Sequence, residues 1–99
     1  MELARVVGTI VATKKNPEIA GYKLLLVEIA DPYGKGKGKY YIGVDLVDAG
    51  VGDLVLLVRG SSARTCKEVG AKPVDGSIVA VVDTVNMGNK SVYDKSRGE

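Results

Sequence analysis

Ninety-nine residues, 45% of them hydrophobic and carrying a net charge of +2, are enough for one domain and leave no room for a second. The chain has no His and a single Cys, Cys66. That excludes Ser–His and Cys–His nucleophiles, most zinc arrangements and an internal disulfide. No apolar run reaches membrane-spanning length and no secretory signal is visible at the N-terminus, so the expectation is a soluble protein of a reducing cytoplasm.

Phe and Trp are absent and all five aromatic residues are Tyr. A core without large rings must be built from Val, Leu, Ile and Ala, which suits thin, sheet-built packing. Thirteen Gly against three Pro point to a β protein with many turns. Leu3 to Thr13 reads as the first strand, with Gly8 in its middle marking a bulge or sharp coil. Lys14-Lys15-Asn16-Pro17 ends it, and a connector leads to the second strand, Tyr22 to Ile29.

The segment Asp31-Pro32-Tyr33-Gly34-Lys35-Gly36-Lys37-Gly38-Lys39 offers no buried face and reads as a mobile basic hairpin loop. Tyr40 to Leu46 forms the third strand. A turn at Val47-Asp48-Ala49-Gly50 precedes Leu54-Val55-Leu56-Leu57-Val58, too short for a helix and apolar on both faces. That fourth strand should lie between two buried layers, either in its own domain or against another subunit, and the rest of the chain has to supply the surfaces that cover it. Arg59-Gly60 stops it, and Ser61 or Ser62 can cap a short helical element through Lys67. Ile78 to Val85 is the fifth strand. Val92-Tyr93 forms a short final one, pairing within the chain or with a neighbour, and the polar tail from Asp94 frays. Five strands without strand–helix–strand alternation close most simply into a small barrel, since closure removes exposed edges.

Few residues suit chemistry. Asp45, Asp48 and Asp53 cluster around one connection and read as turn caps; Cys66 reads as a small apolar filler. The Gly-Lys repeat runs into a strand, whereas a phosphate loop ends in Gly-Lys-Ser/Thr and opens a helix. An oligonucleotide-binding alternative draws on Tyr22, Tyr33, Tyr40 and Tyr41 beside Lys35, Lys37 and Lys39, although adjacent Tyr40 and Tyr41 face opposite sides. Arg59 and Arg64 bracket small residues, which fits either surface charge within one chain or a subunit contact held by directional guanidinium bonds.

Four segments resemble the pentameric vertex proteins of bacterial microcompartment shells, the family of the ethanolamine-utilisation and carboxysome vertex proteins. They are Val7 to Thr13, Leu24 to Val27, Val44 to Leu57 continuing through Gly60-Ser61-Ser62-Ala63-Arg64, and Pro73 to Val85. They span nearly all of the chain from Leu3 to Val85, in the family's order. The resemblance implies an all-β, five-stranded barrel of the oligonucleotide-binding type with a short helical element. It implies one vertex domain over residues 1–99, with a core of about 3–85 and a short strand and tail at 86–99. It further implies a cyclic homopentamer that closes a shell of hexameric tiles in the bacterial cytoplasm, with no catalytic residue, metal or cofactor and with nucleic acid an unexpected partner. The ring contact falls on Ala49, Gly50, Arg59, Gly60, Ser61, Ser62, Ala63 and Arg64, and Lys35, Lys37 and Lys39 form a variable basic loop. Asp48 departs from the pattern, standing where the family more often has glycine, so the local turn shape should differ.

Overall fold

The computed structural model describes residues 1–17, 19–60 and 76–98. Seven strands are present among them: β1 (Glu2–Ile10), β2 (Lys23–Ala30), β3 (Gly36–Asp45), β4 (Leu54–Arg59), β5 (Gly76–Val81), β6 (Thr84–Met87) and β7 (Lys90–Asp94). The first five close into a barrel in the order β1-β2-β3-β5-β4, and β6 and β7 form a separate hairpin. All barrel pairings are antiparallel except β3 with β5, which run parallel through Val44–Ser77 and Asp45–Ile78.

Alternation along each strand decides what fills the barrel. Ala4, Val6, Leu25, Val27, Ile29, Val55, Leu57 and Ile78 point inward and form one cluster. Space inside is tight at Gly43, where an added Cβ would lie 3.1 Å from Leu57 Cδ1 and 3.2 Å from Ile78 Cγ1. Gly8 lies at a register shift between Val6 and Gly8, the bulge expected from the sequence.

β4 is buried on both sides, as its two apolar faces require. Val55 and Leu57 belong to the barrel interior, while Leu54 packs outside with Ala30 and Tyr93, flanked by Leu3, Val82 and Val85. The outer cover is the C-terminal hairpin, anchored by the fully buried Tyr93. Burying a leucine of this kind contributes about 1.5–3 kcal/mol, so the hairpin adds to the stability of the strand it covers.

Several expectations need correction. β1 stops at Ile10, short of Thr13. β3 begins at Gly36, so the second half of the basic segment is strand and only residues 31–35 form the connection. A partner on β2 explains this: the Glu28 carboxylate accepts the Gly38 N–H at 2.9 Å and occupies the space that a Cβ at Gly36 would need. The connection itself is an Asx turn, in which Asp31 Oδ1 accepts the N–H groups of Tyr33 and Lys35 at 2.9 and 3.0 Å. The expected strand from Ile78 to Val85 is divided at Val82-Asp83 into β5 and β6. The final strand pairs with β6 of its own chain. The tail turns into a 3-10 helix over Lys95–Arg97, because Asp94 accepts the Ser96 N–H and Gly98 takes a left-handed conformation behind it. The short helical element expected after Ser61 lies outside the described residues, as does Cys66.

The turn before β4 holds Asp48 in a left-handed backbone conformation that glycine adopts readily. Its φ of 58° makes it the one described residue other than glycine with positive φ, a region that costs most side chains about 1–2 kcal/mol and glycine little. Its carboxylate meets Lys23 Nζ at 3.1 Å, but Lys23 also reaches the buried Asp45 at 3.2 Å and keeps that partner when Asp48 is removed. Asp48→Gly is therefore expected to raise stability to urea by up to about 1 kcal/mol, measured by equilibrium unfolding. A loss of stability would show that the Lys23 contact outweighs the backbone term.

Candidate assembly site

The residues singled out from the sequence fall in separate places. Ala49 is 1% exposed and belongs to the interior cluster. Its N–H donates to Asp45 Oδ2 at 2.9 Å and its carbonyl accepts Lys23 Nζ at 2.8 Å. Ala49 therefore plugs the barrel of its own chain, with its side chain turned inward. Gly50 beside it is exposed, and its N–H donates to Asp53 Oδ2 at 2.9 Å. That bond, with Lys95 Nζ at 3.4 Å, holds the Asp53 carboxyl below the usual carboxylate range. Asp45 likewise accepts the Val47 N–H at 3.1 Å. Asp45 and Asp53 thus cap turns, as their positions suggested, whereas Asp48 meets the Lys23 side chain instead.

Arg59 and Gly60 stand at the far end of β4, roughly 20 Å along a six-residue strand from its start. Gly50 and Gly60 cannot share one compact patch. Arg59 is engaged within its own chain: Nη2 donates to Glu2 Oε1 at 3.0 Å and Nε to Glu2 Oε2, while the guanidinium carbon lies 4.1 Å from the Tyr41 ring centroid. This bidentate, stacked arrangement joins the start of β1, the end of β4 and the middle of β3. Gly60 is exposed with φ of 63°, so the backbone itself calls for glycine there. Ser61, Ser62, Ala63 and Arg64 lie outside the described residues.

Lys35, Lys37 and Lys39 are all exposed. Lys39 shares a side of β3 with Tyr41, and its charge helps Arg59 and the N-terminus to depress the Glu2 pKa. Among the described residues no three His, Cys, Asp or Glu side chains are grouped closely enough to hold a metal ion.

Sequence reasoning missed two organising arginine contacts. One is the Glu2 partner of Arg59, 57 residues away along the chain. The other is Arg5, whose Nη2 donates to Gly34 O at 2.7 Å and Nη1 to Gly52 O at 3.0 Å, with the guanidinium over the Tyr93 ring. Arg5 thereby joins the β2–β3 turn, the turn before β4 and the C-terminal hairpin. The available signal was a lone charge within the apolar run Leu3-Ala4-Arg5-Val6-Val7.

The Glu2–Arg59 pair has a defined pH signature. The Arg59 hydrogen bond is the main cause of the lowered Glu2 pKa. Because Glu2 titrates lower when folded, its contribution is fully present above the ordinary value of 4.5 and disappears as pH falls through the lowered one. Both side chains are about a third exposed, so solvent screens the pair. Glu2→Gln should cost no more than about 1 kcal/mol at pH 7, and the difference from the parent should vanish as pH falls below the lowered Glu2 value in urea melts. A penalty that persists undiminished at the acid end would mean that Glu2 acts by packing instead of charge.

Comparison with known proteins places this architecture. Residues 1–83 match the family model described as ethanolamine utilisation protein EutN/carboxysome. The carboxysome shell vertex protein CcmL of Synechococcus elongatus is 44% identical over 95 residues, covering 96% of each chain. The bacterial microcompartment shell vertex protein EutN of Escherichia coli K12 is 41% identical over 95 residues, covering 96% of this chain and all of its own. Among solved structures, a carboxysome subunit CcmL superposes with a TM-score of 0.88 at 43% identity, covering 96% of this chain and 99% of that one. The GrpN pentameric microcompartment shell protein from Rhodospirillum rubrum gives 0.79 at 38% identity, covering 89% and 100%. A closed five-stranded barrel with a C-terminal hairpin, matched along almost its whole length at these identities, belongs to the EutN/CcmL family of microcompartment shell proteins.

Proposed function

We propose that this chain assembles as a ring of five and caps the five-fold vertices of a bacterial microcompartment shell, within the bacterial cytoplasm. The observation that carries the reading is the full-length similarity to shell vertex proteins and to a pentameric shell protein. A flat hexagonal layer cannot close on itself, and a five-fold unit supplies the missing curvature. One contact repeated by a fixed rotation closes a ring, and a barrel filled to the limit at Gly43 is stiff enough to hold that angle.

The role is structural and not enzymatic. Asp45 and Asp53 are committed to turn amides and lysines, and the Arg59 guanidinium to Glu2 and Tyr41. Shape does the work, and no cofactor is called for. Gly50, Arg59 and Gly60, with Ser61, Ser62, Ala63 and Arg64 following, are assigned to ring contacts. The Glu2–Tyr41 cradle keeps Arg59 in one orientation. Hexameric shell tiles are the outer partners, and their individually modest contacts add up through repetition around the shell.

The oligonucleotide-binding alternative needs an exposed ring beside the lysines. Tyr41, on the Lys39 side of β3, carries Arg59 on its ring, whereas Tyr33 and Tyr40 are each 56% exposed; the similarity to shell vertex proteins is what favours the structural reading.

Sedimentation at low micromolar concentration is expected to give a particle of five chains with little free monomer. Coexpression with hexameric tile proteins should yield closed shells, and omission of this chain should leave open or elongated ones. A stable single chain, or a ring of another order, would sink the assignment. Salt-sensitive binding of single-stranded oligonucleotide by such a monomer would favour the alternative.

A further inference from the structure

The basic hairpin between β2 and β3 is a motif that the shell role does not use. Its shape is set by two carboxylates, both spent on main-chain amides. Asp31 Oδ1 accepts the N–H groups of Tyr33 and Lys35, and Glu28 accepts that of Gly38. Arg5 Nη2 fixes the same turn by donating to Gly34 O at 2.7 Å. Neither acid is paired with the lysines beside it. Among the described residues no ion pair engages Lys35, Lys37 or Lys39, and all three are exposed. Their ammonium groups stand at alternate positions on a fixed support, with the exposed rings of Tyr33 and Tyr40 on either side of them in the chain.

The main chain is open as well. From Gly36 to Tyr40 every residue of β3 is exposed. On the edge away from β2, β5 reaches β3 only at Val44 and Asp45. No other described strand lies along Gly36 to Tyr40, so this edge presents main-chain donors and acceptors to solvent.

We infer that the β2–β3 hairpin is a docking arm for an extended, acidic segment of a different protein, which adds along the outer edge of β3 and sets its carboxylates against Lys35, Lys37 and Lys39. Two residues of an extended chain advance about 6.6 Å, so acids at every second position of the incoming segment match the lysines. Opposite charges across a strand pair attract, and the main-chain bonds add affinity that is independent of sequence. The site lies within one chain and does not depend on the ring; a ring would present several such arms and raise the avidity for a partner with several acidic segments.

Charge argues against a second copy of this chain as the occupant. Its 12 acidic residues are nowhere closer than three positions apart, so no segment of it carries carboxylates at alternate places. Gly38, with φ of 81°, also kinks the edge, which hinders two hairpins from pairing flat, whereas a single flexible segment can follow the bend. Nucleic acid fits less well than a peptide. Phosphates accept hydrogen bonds without donating them and leave the edge carbonyls unpaired, and the Glu28 and Asp31 carboxylates repel them.

The test titrates the assembled protein into fluorescein-labelled peptides and reads anisotropy. A peptide alternating Glu with Val should bind, less tightly as salt rises, and the same peptide with Gln for Glu should bind roughly tenfold more weakly. The combined variant Lys35→Gln, Lys37→Gln and Lys39→Gln should lose a similar factor for the acidic peptide while keeping the parent's melting midpoint and sedimented mass. A peptide alternating Glu with Pro keeps the charge but lacks half of the main-chain donors, and it should also bind more weakly. Equal binding of the Glu and Gln peptides, or of the parent and the lysine variant, would overturn the inference and leave the lysines as guards of a soluble strand edge. Undiminished binding of the Glu-Pro peptide would overturn strand addition. A labelled oligothymidylate bound in preference to the acidic peptide would overturn the inference in favour of nucleic acid, and a changed sedimented mass of the lysine variant would overturn it in favour of a subunit contact.

Discussion

The structure depends on β4 having two dry sides. A strand reading Leu-Val-Leu-Leu-Val cannot sit on the outside of a small barrel with one face in water, because each exposed leucine or valine forgoes about 1.5–3 kcal/mol. The barrel closes over Val55 and Leu57 on one side, and the hairpin lies over Leu54 on the other. Each cover needs the second: without the hairpin, Leu54 and its neighbours Leu3 and Ala30 would face solvent.

Polar contacts then fix how the covers sit. Arg5 ties two connections to the hairpin, with two carbonyls and the Tyr93 ring as its partners. Lys95 adds a second tie through Asp53, and its N–H donates to Asp83 O at 2.8 Å. At the other end, Glu2, Arg59 and Tyr41 join β1, β4 and β3. These are directional contacts between parts of the chain that hydrophobic burial would leave free to slide. They determine shape more than they add stability, which suits a molecule whose use depends on a repeatable angle.

How much of this was legible follows from how local each signal is. The barrel strands, the two-sided β4 and the bulge at Gly8 were readable because alternation and a mid-strand glycine are properties of adjacent residues. The aspartate caps were readable for the same reason, since Asp45 reaches amides two and four residues on. The start of β3 was misread because Gly36 to Lys39 contains no apolar residue; its pairing partner and the Glu28 cap come from β2. The Arg59 cradle depends on Glu2, and no local pattern announces a partner that far away. Ala49 was placed at a surface because small residues suit interfaces, yet smallness equally suits the end of a crowded barrel.

The outer apolar face under Tyr93 is satisfied within the chain, at no cost in concentration, so it can support folding of a single copy. A chain built in this way can fold first and associate afterwards. In a heterologous ring the last contact joins two chains already held by their neighbours, so closure adds a contact without ordering a further subunit. Five-fold closure is therefore favoured over partial arcs when the angle between the two unlike surfaces is held stiffly, and the Arg5 and Arg59 contacts hold the parts of each chain in fixed relation.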